Sequence, residues 1–442
     1  MKRYDSYKDS GVEWMNKIPS NWEKSRIRMV GDLYGGLTGK KGSDFNDEDN
    51  PSNKPFVPFT NIFNNTYISK DHFQYVNVEE NENQNRVLKN DLFFLMSSES
   101  YEDLGKCSIL LEDVEELYLN SFCKGFRIKD SKVYPLFLNY QLLGSLHKEM
   151  ISVEGNGFTR INLRQDRLLD IPVFIPPLSE QQKIVSFLDN KTSLIDSLIE
   201  KTQRKIELLK EKRTSIINEV VTKGLNPNVE MRDSGVEWIG EIPSHYQIGK
   251  LKHLCNENQR SLSNSTVPNY ELNYIEISDV NSEGVIGNST PYIFSESPSR
   301  CRRIVQKGDV IVSTVRTYLK SIGLIEEEVE DLICSTGFSV LTPDTEINSK
   351  YLFYLLRTEW FISMVISNSE GVSYPSIQSE KLMNIDVVFC EFSEQQQIVE
   401  YLDEQTQLID NTTSIEEKRI ELLKEYRQSL ISEVVTGKRK VV

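Results

Sequence analysis

Histidine, cysteine and long apolar runs are all scarce in this chain, and each scarcity closes off a class of function. Its six cysteines, Cys107, Cys123, Cys255, Cys301, Cys334 and Cys390, are scattered over 442 residues with no CxxC spacing. That pattern excludes a thiolate zinc site and fits a reduced, cytoplasmic protein. Of four histidines, only His245 and His253 lie near a cysteine, Cys255, and they do not supply a metal site in its place. No stretch reaches the roughly 20 apolar residues of a membrane span, so no membrane contact is expected. The opening MKRYDSYKDSGVEW lacks the apolar run of a signal peptide.

Cationic charge is short as well. Lys and Arg number 51 against 66 Asp and Glu, a net charge of -15. Phosphate contacts need Lys and Arg, so any nucleic-acid contact must rest on locally placed cations or on a basic partner subunit. Catalytic patterns are missing too. YGGLTGKK (Tyr34 to Lys41) imitates a phosphate-binding loop but has Tyr34 where glycine is needed and Lys41 where Ser or Thr is needed. Pro176-Pro177 lacks the flanking residues of an amino-methyltransferase motif, and no acidic-x-Lys follows Pro343-Asp344 before the last long helix. GxSxG and HExxH are absent.

What the chain does contain, it contains twice. SEQQKIVSFLDNKTSLIDSLIEKTQRKIELLKEKRTSIINEVVTKG, from Ser179, returns from Ser393 without a gap, and IELLKE and EVVT recur letter for letter. DSGVEWMNKIPSNW (Asp9 to Trp22) likewise returns as DSGVEWIGEIPSHY (Asp233 to Tyr246). The chain is therefore two half-units, and duplication on this scale implies internal pseudo-two-fold symmetry.

Each copy from Ser179 and Ser393 reads as one helix of roughly 65 Å at the usual rise per residue. Val185, Thr192, Ile199, Ile206 and Val220 recur on a seven-residue grid, with Leu188, Ile195, Thr202, Leu209 and Ile216 three residues behind each row. The second copy places Val399, Thr406, Ile420 and Val434 in one row and Leu402, Ile409, Leu423 and Leu430 in the other. That is an a/d heptad seam, and two equal rods are best satisfied by packing along each other. The spacer-packing residues are thus Leu188, Ile195, Ile199, Ile206 and Leu209 against Leu402, Ile409, Ile420 and Leu423. Arg213 and Arg427 interrupt one row, and Thr202 and Glu416 the other. Ser179 with Gln182 and Ser393 with Gln396 read as capping boxes, and Gly224 and Gly437 as stops.

Between the repeats lie two variable blocks with one plan. Strands are expected over VPFTNIFNNTYI (Val57 to Ile68) and NYIEISDVNSEGVI (Asn273 to Ile286). Asp91 and Asp309 each open an apolar strand ending in small polar residues. Helical patterns follow at Tyr134 to Met150 and at Ser349 to Ser367. EGNGFTRINLRQDRL and EGVSYPSIQSEKL then read as glycine-containing loops entering short helices. Each block is an α+β domain of roughly 150 residues.

SGVEW-x-x-x-IP twice, PPLSEQQKIVSFLD and SEQQQIVEYLD, and the paired IELLKE helices together resemble the specificity subunit of a Type I restriction-modification system, over essentially the whole chain. The resemblance implies target-recognition domains at 1–178 and 226–392, joined by two long antiparallel helices at 179–225 and 393–442 that form a coiled-coil spacer. It implies that each domain reads one half of a split double-stranded DNA target and that methyltransferase subunits clamp the helices. Restriction and motor subunits join that core, and S-adenosylmethionine belongs to the methyltransferase partner, leaving this chain without cofactor or catalysis.

DNA contacts are expected from polar and cationic positions at strand ends. In the first domain these are Lys40, Lys41, Ser97, Ser98, Lys106, Arg160, Asn162 and Arg164. In the second they are Ser313, Arg316, Tyr318, Lys320, Ser373, Tyr374, Ser376 and Gln378, with Arg300, Arg302 and Arg303 facing phosphates. Arg grips guanine, and Asn or Gln adenine, through paired hydrogen bonds, while Lys and Ser take phosphates. The competing reading is a non-enzymatic coiled-coil scaffold whose globular ends bind proteins, which suits the acidic charge. A lone split-site methyltransferase is a further alternative, against which the missing methyltransferase motifs argue.

Overall fold

The computed structural model describes residues 3–13, 15–45 and 53–441; Trp14 of the first SGVEW motif lies outside them. The chain forms two compact units, residues 1–202 with 418–442, and residues 203–417. The division falls within the long helices, which run Leu178–Lys223 and Phe392–Val435. Each therefore starts one residue before the serine expected to cap it. Both stop where a glycine takes a left-handed backbone, Gly224 at φ 74° and Gly437 at φ 72°, as the sequence expects.

In the first unit, strands Gly31–Gly35, Cys123–Ile128, Leu92–Leu95 and Cys107–Ile109 lie side by side in one antiparallel sheet. A second sheet orders Tyr118–Leu119, Asn53–Val57 and Gln74–Asn77, the first pair parallel. The strand expected over Val57 to Ile68 gives way after Val57 to a helix, Phe59–Asn64. The buried Asn61 explains the change: its amide donates to Ser69 O at 2.8 Å and its carbonyl oxygen accepts from Ser69 N at 3.2 Å, closing a loop that extended chain cannot make. The helical stretch from Tyr134 is two helices, Pro135–Leu143 and Ser145–Val153. At the break, Gly144 meets Val435, where a Cβ would lie 3.1 Å from Val435 Cγ2, and Ser145 N donates to Ser432 Oγ at 2.7 Å.

The second unit repeats the plan by itself. One sheet orders Cys255–Glu257, Phe338–Pro343, Val310–Ser313 and Ile322–Leu324; the other orders Thr290–Ile293, Glu271–Ile275, Leu332–Ser335 and Cys301–Ile304. Helices Ser349–Leu356 and Glu359–Ser367 follow, and Glu359 N donates to Asn218 Oδ1 at 2.7 Å, as Ser145 N does to Ser432.

Ser10–Glu13 of the first SGVEW copy and Ser234–Trp238 of the second lie at the turn of a short hairpin, Tyr7–Asp9 with Lys17–Pro19 and Met231–Asp233 with Glu241–Pro243. Asp9 and Asp233 accept from the amides of Gly11 and Gly235, whose positive φ these turns require. The chain leaving each hairpin pairs with the strand that enters the long helix: Glu23–Arg26 with Pro172–Ile175, and Gln247–Lys250 with Asp386–Phe389. Tyr4, Asn21 and Trp22 then donate to Glu180 in the first turn of the first helix, and Tyr246 to Glu394 in the second. Gln181 and Gln395, rather than the exposed Gln182 and Gln396, fasten the helix starts. Gln181 accepts from Tyr134 N and donates to Lys132 O and Pro176 O at 2.7–2.8 Å. Gln395 makes the same three bonds to Asn348, Glu346 and Cys390.

Inside each unit the two helical segments run side by side. In the second, Lys205 meets Glu416 at 2.6 Å and Arg213 meets Asp410 at 3.0 Å, so one numbering rises as the other falls and the pairing is antiparallel. The first unit carries the counterpart of the latter pair, Arg427 with Asp196 at 2.9 Å. Leu188, Ile195, Leu402 and Ile409 are buried, while Ile199, Ile206, Leu209, Ile420 and Leu423 are half-covered. In the middle stretch Thr202 and Glu416 are buried as well, while the apolar residues around them are half-covered. Tyr140 donates to Asp189 and Tyr354 to Asp403, at 2.6 and 2.8 Å, and both tyrosines lie beside a seam threonine, Thr192 or Thr406.

One buried group makes the first unit acid-sensitive. His147 is fully buried, its Nε2 donating to Pro172 O at 3.0 Å and its Nδ1 without a partner, and burial lowers its pKa to about 4. Below pH 6.5 the unfolded chain takes up a proton that the folded unit refuses, so stability falls as pH drops toward 4. The loss approaches about 3 kcal/mol, and the effect vanishes above the unfolded pKa. Urea unfolding measured between pH 7 and 4 should show this slope, and His147→Leu should flatten it.

Candidate nucleic-acid interface

In the first unit the strand ends meet at a small sheet. Ser97–Ser98 continue from the Leu92–Leu95 strand and pair with Ile161–Leu163, which in turn pairs with Gly155–Asn156. The hairpin between the last two strands turns at Gly157, with φ 137°, where a Cβ would lie 2.1 Å from Arg160 O. Arg160 is exposed, donates through Nε to Ser97 Oγ at 3.2 Å and lies over the Phe122 ring at 5.8 Å. Asn162 is exposed and donates to Arg160 O. Ser97, Arg160 and Asn162 are therefore brought together as one polar edge.

The other expected residues of this unit divide. Lys41 is exposed but stands at a tight turn, its amide donating to Asp44 at 2.6 Å. Lys40 is committed to Glu82 at 2.5 Å and is largely covered, which lowers the carboxyl pKa of Glu82. Arg164 forks onto Asp166 at 2.8 and 3.0 Å, an exposed pair that contributes little to stability. Lys106 sits over the Phe63 ring at 4.3 Å and lines a separate open cleft of about 960 Å³ with Lys148, Asp196 and Arg427. Ser98 is buried and accepts from Ser100 N, so it shapes the strand end and has little surface to offer a phosphate.

The second unit builds the same edge differently. Ser313 is buried, bonded to Val315 O at 2.6 Å, and likewise does not reach solvent. Val315 bridges to Ser376, and Ser376 pairs in both directions with Glu370, closing a hairpin at Gly371 with φ 106°. Arg316 lies over the Tyr374 ring at 4.9 Å. Arg316 and Lys320, at φ 50° and 56°, flank the turn Thr317–Leu319, and side chains in this region cost about 1–3 kcal/mol each. Arg316 N donating to Pro375 O at 2.7 Å helps to hold that strain. Ser373, Tyr318, Tyr374, Lys320 and Gln378 are exposed around the turn and hairpin.

Arg300, Arg302 and Arg303 do not form one cationic patch. Arg300 is exposed; Arg302 lies over Phe294 at 4.8 Å and donates to Cys301 O. Arg303 is half-covered, with Nε buried and unpartnered. A bulge between Cys301 and Arg303 separates the directions of the last two.

Sequence reasoning passed over the apolar residues at these edges, Tyr101, Phe122 and Phe158 in one unit and Val372 in the other, all exposed. It also passed over the anchors Gln181 and Gln395, which aligning the two copies residue by residue reveals. Among the described residues no group of three His, Cys, Asp or Glu side chains can hold a metal ion. Burial pushes the Cys123, Cys255 and Cys390 thiols up to about 12, which disfavours their thiolate forms. No helix among the described residues is long and apolar enough to cross a membrane.

Doubled α+β lobes and two long helices are the architecture of this chain, and comparison with known proteins says which family it belongs to. The chain belongs to the family described as the Type I restriction modification DNA specificity domain, which it matches twice, at residues 19–208 and 243–425, and it is a specificity subunit of such a system. It is similar to the Type I restriction enzyme MjaVIII specificity subunit of Methanocaldococcus jannaschii, 24% identical over 98% of this chain and 97% of that protein. The EcoKI specificity subunit of Escherichia coli is 24% identical over 70% of this chain and 64% of its own length. Among solved structures, a chain described under complex assembly and conformational transition of the type I R-M system superposes with a TM-score of 0.71. It is 15% identical, covering 96% of this chain and 99% of that one. The HsdS subunit from Thermoanaerobacter tengcongensis gives 0.54 at 15% identity, covering 96% and 98%.

Proposed function

We propose that this chain is the non-catalytic reader of a bipartite double-stranded DNA target, each unit reading one half, in a cytoplasmic complex whose methyltransferase subunits bind S-adenosylmethionine and whose restriction subunits supply motor and nuclease. The observation that carries the reading is a contrast. The helices align without a gap, and Gln181 and Gln395 fasten them through equivalent bonds, while the polar edges of the two units carry different side chains. A shared frame holding unlike reading edges suits a split, asymmetric target.

The helices offer a surface for partners. In the first unit they expose Leu194, Leu198, Leu422 and Tyr426, and in the second Leu208, Tyr401, Leu408 and Ile415. Tyr401, Leu408 and Ile415 recur every seven residues off the a/d seam, the spacing a further helix needs to dock. Methyltransferase subunits are the partners assigned here. With a net charge of -15, the isolated chain binds DNA weakly, and tight specific binding requires them.

The test is methylome sequencing of a host that expresses this chain with its methyltransferase partners. Two half-sites at a fixed gap are expected, and both disappear when this chain is omitted; methylation independent of the chain overturns the proposal. Within that assay Arg316→Ala is expected to relax one half-site alone, with a loss of about 1–3 kcal/mol of discrimination at the affected base pair. Tight, sequence-specific binding by the isolated chain would refute the requirement for a partner.

A further inference from the structure

Among the described residues the most exposed large apolar side chains stand at the tips of the two reading hairpins. Phe158 is 104% exposed and Val372 is 102% exposed, each one residue past the strained or close turn that begins at Gly157 or Gly371. Neither touches the rest of its unit in a way that shields it from water. Around Phe158 lie other exposed rings: Phe122, and Tyr101, whose hydroxyl donates to Gly157 O at 3.4 Å. Beside Val372 is Tyr374, 66% exposed. A guanidinium accompanies each tip, Arg160 over Phe122 and Arg316 over Tyr374.

A bare phenyl ring on a rigid hairpin gains nothing for the folded chain. Fixed in place by a turn that admits only glycine, it is suited to enter something from which water is excluded. The flanking arginines specify what: a polyanion with an apolar interior reachable between its charges. Duplex DNA fits, since apolar wedges enter between base steps while neighbouring cations hold the phosphates. A protein groove would not call for a cation at each tip.

From this we infer that Phe158 in the first unit, and the Val372–Tyr374 tip in the second, insert between base pairs and unstack one step in each half-site. This rests on the DNA-reading function proposed above. Specificity then comes partly from how readily the step opens, at positions where no side chain bonds a base edge. Pyrimidine–purine steps, the easiest to unstack, are the class of step expected there.

The experiment uses the full complex with its methyltransferase subunits on its specific duplex. Permanganate and diethyl pyrocarbonate report unstacked thymines and purines along both half-sites. Alongside the base that the methyltransferase extrudes, the unsubstituted complex should show one further reactive step in each half-site. Phe158→Ala should remove it from one half-site only and weaken specific binding about tenfold, the scale of one lost stacking contact. Phe158→Trp should retain it, and Val372→Ser with Tyr374→Ala should remove the other. Because Phe158 is fully exposed, unchanged thermal unfolding of the variant separates loss of insertion from loss of fold. If the complex binds its site but reactivity and affinity are the same in Phe158→Ala, the wedge is overturned and the reading function stands. If Phe158→Ala instead releases a methyltransferase subunit, the tip is a protein contact and the wedge is equally overturned. Absence of any sequence-specific binding by the unsubstituted complex overturns the function on which the inference rests.

Discussion

Gln181→Leu is expected to destabilise the first unit by about 2–3 kcal/mol, because it unpairs one buried and two part-buried backbone groups at once. Tyr134 N, Lys132 O and Pro176 O all bond to this one side chain, which is wholly buried. Leucine is nearly the same size, so the loss measures hydrogen bonding and not volume. Gln395→Leu should cost a similar amount in the second unit, where Asn348 N, Glu346 O and Cys390 O are the orphans. Each variant should lower one unfolding transition and leave the other in place. Urea titration followed by hydrogen exchange assigns the transition; a loss under 1 kcal/mol, or one spread over both units, contradicts the assignment. Gln182→Leu is the control, since Gln182 is exposed and its loss should be near neutral.

The second large effect concerns the gap in the target. A seven-residue insertion in each long helix preserves the a/d pattern and adds about 10 Å of helix at 1.5 Å per residue. DNA rises about 3.4 Å per base pair, so the unread gap should lengthen by about three base pairs. The half-sites themselves should not change. Insertion points between Thr202 and Leu209 and between Ile409 and Glu416 avoid the segments enclosed by globular core. Methylome sequencing reads the outcome directly, and an unchanged gap, or altered half-sites, counts against the helices as the ruler. A four-residue insertion, which turns the seam out of register, should abolish methylation.

How much of this was legible in the sequence depends on the range of the interactions involved. The helices, their glycine stops and the heptad rows are local patterns repeated twice, and they could be read at sight. The half-burial of Ile206 and Leu209 could not, since the heptad rows do not distinguish them from the buried Leu188 and Ile195. The helix Phe59–Asn64 was masked by residues with strand preference, and a single buried amide, Asn61, decided it. At the polar edges, Arg160, Asn162 and Arg316 lie near strand ends as their positions suggest. Lys40 was misleading because its partner, Glu82, is far along the chain and the pair forms only on folding. Ser98 and Ser313 stand at strand ends as expected but are buried, which their small polar side chains do not announce. Phe158 gave no signal, because an exposed phenylalanine and a core phenylalanine look alike until the hairpin is built.

The first unit is closed by a segment made after the whole of the second unit. Val435 and Ser432 bond to Gln141 and Ser145 at the heart of that unit, whereas residues 203–417 complete the second unit without them. During synthesis the first unit must wait, at roughly 5–20 residues per second, for the ribosome to pass through residues 203–417 before its remaining helical segment arrives. A stop codon after Glu417 would consequently injure the lobe translated first and spare the one translated second.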